Sequence, residues 1–109
     1  MKWVDGVSYF FGGAFLANGI PHLVSGVTGH PFQSPFAKPP GVGLSSPVVN
    51  VLWGSFNLAV GHVLVRRVGR FDPNSTPDVA AFGAGAVLTG LMLSHYFGKF
   101  HSGDAPSQP

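Results

Sequence analysis

From Gly6 to Val27 the chain reads GVSYFFGGAFLANGIPHLVSGV, with no Asp, Glu, Lys or Arg in it. This uncharged run constrains the fold more than any other feature, because about 20 apolar residues carry an α-helix across about 30 Å of hydrocarbon. Two more such runs follow, and the expected spans are Val7–Val27, Pro47–Val65 and Val79–Gly98. Glycine recurs in all of them, and in water each one would weaken a helix by up to about 1 kcal/mol. In lipid the backbone has no alternative to a closed hydrogen-bond ladder, and glycine lets neighbouring helices approach. Charged residues are 9% of the chain, against about 25% in soluble domains, too few to clothe a surface in water. The expected fold class is all-α and integral to the membrane, with three transmembrane helices in a single domain over residues 1–100. A polar, disordered tail is expected at 101–109.

Cysteine is absent, which removes disulfides, thiolate metal sites and a cysteine nucleophile. The net charge is only +2, and Arg66, Arg67 and Arg70 crowd one short segment, so there is no broad basic surface for nucleic acid. Lys2, the apolar run and Ala14–Ala17 have the outline of a secretory leader. Asp5 and the continuation of the run past that point argue instead for a retained first helix.

Between the first two spans lies TGHPFQSPFAKPPGVGLSS, where Pro31, Pro35, Pro39 and Pro40 deny the backbone a regular helix. Phe32, Phe36 and Lys38 are expected to lie at the interface and to form a partner-docking loop. Ser45 or Ser46 before Pro47 reads as a helix cap with proline in the first turn. The second connection, RRVGRFDPNSTP, ends a helix at Gly69 and turns at Asp72-Pro73-Asn74; Thr76-Pro77-Asp78 is expected to cap the third helix. Lys2, Arg66, Arg67 and Arg70 share one side and Lys38 and Lys99 the other. This charge difference places the N-terminus in the cytoplasm and the C-terminus outside.

Polar residues inside spans are where function is sought. Ala14, Asn18, His22 and Ser25 line one face of the first helix, and Pro21 frees the carbonyl of Ala17, so a kink is expected just before His22. In the second helix Asn50, Gly54, Asn57 and Gly61 recur at steps of four, three and four, a seam for close packing with amides bonding across it. A sharper reading makes that seam the wall of a small-solute channel. The third helix carries Gly83, Ala86, Gly90 and Ser94 in one small-residue stripe and Ala81, Gly85 and Thr89 in another, with Gly83 and Gly90 assigned to the packing seam. His22 and His95 are expected at similar depths near the outer side, the arrangement that axial haem ligation requires, and a histidine cluster also suits copper. With Asn18 they are the ligand or metal candidates. No GxSxG, phosphate-binding loop or HExxH occurs, and Asp5, Asp72, Asp78 and Asp104 all lie outside the spans, so no catalytic residue is assigned and enzymatic activity is not expected.

Asn18-Gly19-Ile20-Pro21-His22, the loop segment PFQSPFAKPPG and Leu44-Ser45-Ser46 together resemble a group of small bacterial inner-membrane proteins. The resemblance covers nearly the whole chain up to the tail and implies a bacterial inner-membrane location; no site residues carry over with it. The functional expectation is a homo-oligomer or an accessory subunit of a membrane complex, with lipid, itself or other membrane proteins as partners and no cofactor. The alternative is a haem- or copper-binding redox protein on His22 and His95.

Overall fold

The computed structural model describes residues 2–101 and is mostly helical. Helix α1 runs Trp3–Val27, α2 Pro47–Val63 with a π-helical turn Leu64–Val68 continuing it, and α3 Thr76–His101. All three helices are long and apolar enough to cross a membrane. Two of them begin earlier than the hydropathy suggests. Asp5 sits in the first turn of α1, where a carboxylate suits the positive end of the helix dipole, so the ladder extends back to Trp3. In α3 the cap is Ser75 rather than Thr76: the Asp78 N–H donates to Ser75 Oγ at 3.3 Å, and Thr76 is already helical. Pro21 is accommodated inside α1, which runs through it as one helix.

α1 is the central element. It packs against α2 on one side and α3 on another, while α2 and α3 scarcely touch each other among the described residues. The α1–α2 pair is antiparallel and approaches at glycines on both helices. A Cβ added at Gly54 would lie 2.6 Å from the Leu23 backbone nitrogen, and one at Gly19 would lie 2.8 Å from the Gly54 carbonyl. In a membrane, dispersion over such contacts would take the place that hydrophobic burial holds in water, since lipid tails are as apolar as leucine. α3 meets α1 at Gly85, where a Cβ would overlap the Phe10 carbonyl, and at Gly13, where it would overlap that of Phe82.

Among the described residues the proline-rich connection contains the one departure from an all-α fold: strands β1 (Phe32–Gln33) and β2 (Leu44–Ser45) pair antiparallel, Phe32 opposite Ser45 and Gln33 opposite Leu44. Alternating hydropathy cannot reveal strands of two residues. The Ser34 and Ser45 hydroxyls hydrogen-bond each other inside the hairpin, and Ser34 Oγ also accepts the Phe36 N–H at 3.1 Å. Tyr96 of α3 donates its hydroxyl to the Gly41 carbonyl at 2.7 Å and ties the loop down from the other side.

At the opposite end the Tyr9 hydroxyl donates to the Gly69 carbonyl, and the Ser8 hydroxyl to that of Leu64. Gly69 is needed for a reason other than handedness: its φ of −102° is ordinary, and a Cβ there would run into the Tyr9 ring. The left-handed residue of this turn is Arg70, with φ 51°. Asp78, buried, accepts the Asp72 N–H at 3.0 Å and closes the turn, whereas Arg66, Arg67 and Arg70 are all exposed.

Candidate functional site

Two polar clusters cross the α1–α2 seam at different depths. The first is at the hairpin end. Asn50 is fully buried, and its Nδ2 is surrounded by three carbonyl oxygens: Phe32 at 3.2 Å, Ser45 at 3.1 Å and Ser46 at 3.1 Å. Carbonyls only accept, so this surrounding settles which end of the amide is nitrogen. Asn50 Oδ1 then faces His22 Nδ1 at 2.8 Å, and the imidazole must be the donor. In the neutral ring this leaves Nε2 as the acceptor nitrogen. The His22 ring is 2% exposed and sits in an aromatic box, edge-on to Phe32, Phe97 and Trp53 with centroids 5.3, 6.1 and 6.4 Å away.

The second cluster is at mid-span. Asn57 Nδ2 donates to the Trp53 carbonyl at 2.8 Å, which orients that amide in turn; its Oδ1 receives Asn18 Nδ2 at 3.0 Å. Residue 57 is at the centre of the span Pro47–Val68, and residue 18 is three positions beyond the centre of Trp3–Val27, about 4.5 Å along the axis. The pair therefore lies near the middle of both apolar helices; were these to span a membrane, a polar group there that finds no partner would cost several kcal/mol. An open groove of about 430 Å³ runs between α1 and α3 and reaches both amides.

The four residues Asn50, Gly54, Asn57 and Gly61 are the buried residues of α2, and all face α1. Gly83 and Gly90 are placed differently from the expected seam: a Cβ on either has open space around it, because α3 turns Gly85 and not these two towards α1. His22 and His95 are not brought together. The α3 residue that reaches the His22 ring is Phe97, and His95, two positions earlier and so about 200° round the helix, is exposed. Among the described residues no three His, Cys, Asp or Glu side chains are grouped to hold a metal ion. Phe32 turns onto His22 and Phe97, with a ring separation of 4.6 Å to Phe97, and serves as an internal anchor of the loop, while its strand neighbour Gln33 is buried as well. Phe36 is 63% exposed and lies edge-on to Trp53 at 5.1 Å, with Lys38 exposed beyond it.

Comparison with protein-family models, curated proteins and solved structures finds no match. The site therefore rests on its own geometry. What the sequence reading missed is the set of loop and ring partners: Ser34, Ser45, Tyr96, Phe97 and Tyr9. Each is an ordinary residue whose importance comes from a contact 11 to 75 positions away, beyond the reach of helical spacing.

Proposed function

We propose that this chain is an integral inner-membrane subunit that works by assembly, either as a homo-oligomer or as an accessory component of a larger membrane complex. The observation that carries the reading is the state of α3. Only 6% of its apolar stretch is buried, against 28% for each of α1 and α2. At Gly12, Gly13, Gly19 and Gly26 of α1 and Gly54 and Gly61 of α2 a Cβ would meet neighbouring structure, whereas Gly83, Gly90 and Gly98 of α3 have nothing within 4 Å of where a Cβ would stand. Small residues on a transmembrane helix let another backbone come close. Phe36, projecting above Trp53 and Phe56 beside Lys38, offers an aromatic anchor at the edge of the same molecule. The bacterial inner membrane, with the arginine-bearing end in the cytoplasm, is the location this reading takes.

Assembly is tested by native mass spectrometry and in-membrane crosslinking of the protein extracted in mild detergent. Wild type should appear as an oligomer or with a stoichiometric partner, and the double variant G83L/G90L should lose that assembly with unchanged helix content. A wild-type monomer with no co-purifying protein would overturn the proposal.

A further inference from the structure

We infer that the groove between α1 and α3 is a binding site for a lipid-soluble phenol or hydroquinone, held at mid-membrane by the Asn18 carboxamide oxygen. Phe10, Phe11 and Phe15 line it from α1 and Leu88 and Met92 from α3, with Asn57, 1% exposed, at the floor. Its hydrogen-bond ledger is unequal. The Trp53 carbonyl orients Asn57, Asn57 orients Asn18, and at the end of that relay Asn18 Oδ1 accepts no bond from any described residue. The relay cannot be reversed to hide the oxygen, because reversal would set the Asn57 oxygen against the Trp53 carbonyl.

An acyl chain from the bilayer would fill the volume but has no donor for that oxygen, and an unpaired acceptor in hydrocarbon is costly. The occupant that satisfies the groove is apolar and carries an O–H. Two observations favour a ring head over a transmembrane helix of another subunit. The lining extends from residue 10 to residue 18 of α1, about 12 Å, whereas a packed helix would run the length of the span. The volume of about 430 Å³ falls in the range of small-molecule sites, and phenyl rings on the wall suit edge-on and offset contacts with a planar head. The inference is independent of the assembly reading, since the groove lies on the α1 side of α3 and Gly83 and Gly90 lie outside its lining.

The test uses full-length protein in phosphatidylcholine nanodiscs and compares binding of decylhydroquinone with that of its dimethyl ether, which has the same ring and tail and no O–H. The hydroquinone should bind about tenfold more tightly, the worth of one hydrogen bond made in a low-dielectric site. N18L should bring that ratio to about one. A14F, which fills the groove and leaves both amides in place, should weaken both probes by about tenfold or more. Equal binding of the two probes, a preference that survives N18L, or hydroquinone binding untouched by A14F would each overturn the inference. So would disulfide formation between copies through L88C or M92C in probe-free membranes, which would make a second copy the occupant. If N18L fails to fold, A14F decides.

Discussion

Asn50 should be the most costly polar residue of the chain to remove, and the size of the loss follows from its bonds. Its Oδ1 takes the His22 proton, and the two hydrogens of Nδ2 are shared among the carbonyls of Phe32, Ser45 and Ser46. Three bonds are therefore held at any moment. Side-chain bonds between helices in membranes average about 0.6 kcal/mol and reach about 1.7, so N50L, close in shape but unable to bond, should lose about 2–5 kcal/mol. The Ser46 carbonyl is not stranded by the change, because it still accepts the backbone N–H of residue 50; the Phe32 and Ser45 carbonyls lose a donor. H22F keeps the aromatic box and gives up only the single bond to Asn50, so its cost should be about 0.6–1.7 kcal/mol. In a double-mutant cycle the coupling between positions 22 and 50 should equal that smaller figure, since one bond joins them directly. Unfolding in mixed micelles of rising SDS fraction, followed by circular dichroism and tryptophan emission, measures all four corners. A loss below about 0.5 kcal/mol for N50L, the range of an uninvolved surface change, would refute the reasoning. So would H22F costing as much as N50L, which would move the hub from the amide to the ring.

The close approach of α1 and α3 predicts an asymmetry among α3 glycines. G85L drives a side chain into the Phe10 backbone and should destabilise the fold by about 3 kcal/mol or more, whereas G83A or G90A meets open space and should leave the isolated chain as stable or more stable by up to about 1 kcal/mol; the same SDS titration compares them. Tyr96 is the strap between α3 and the loop, so Y96F should raise the rate of limited proteolysis within residues 35–43 several-fold while leaving helix content unchanged; an unchanged cleavage rate would show that the strap does not hold the loop.

The helices were legible because their length and lack of charge leave few alternatives, and because the signals at their ends are local. Before Pro47 the sequence offers Ser45 or Ser46 as the cap, and in the structure it is Ser46, whose Oγ accepts the Val49 N–H at 3.2 Å. The spacing of Asn50, Gly54, Asn57 and Gly61 likewise places them on one face whatever that face meets. What spacing cannot convey is which side of a uniformly apolar helix turns inward. α3 carries small residues on more than one face, and only the position of Phe10 and Gly13 on α1 selects Gly85 over Gly83 and Gly90. His95 was misplaced as a partner of His22 for the same reason: depth can be counted along a helix, but azimuth depends on the neighbour. The hairpin was hidden because its strands are two residues long and its stability comes from Ser34, Ser45 and Asn50, side chains whose polarity alone reads as loop.

Between helices as uniformly apolar as these, apolar contact does little to distinguish one register from the next, and directional contacts do. Along α1 they come at three depths. Ser8 and Tyr9 bond to carbonyls beyond the end of α2, Asn18 bonds to Asn57 at mid-span, and His22 bonds to Asn50 beneath the hairpin. A slip of α2 by one turn would break all of them together, which fixes the α1–α2 pair as a unit. α3 has no side-chain hydrogen bond of this kind to α1 or α2 along its span among the described residues; it is held by the glycine contacts at Gly13 and Gly85, by the Phe97 ring and by the strap from Tyr96 to Gly41. Packing without directional bonds tolerates small displacements that the seam does not. The helix with the freest outer face is thus also the one least tied in register, and it forms one wall of the groove that ends on Asn18. A partner seated on the outer face of α3 and a ligand seated on its inner face would act on the same element, and by linkage each would alter the affinity for the other to the extent that α3 shifts.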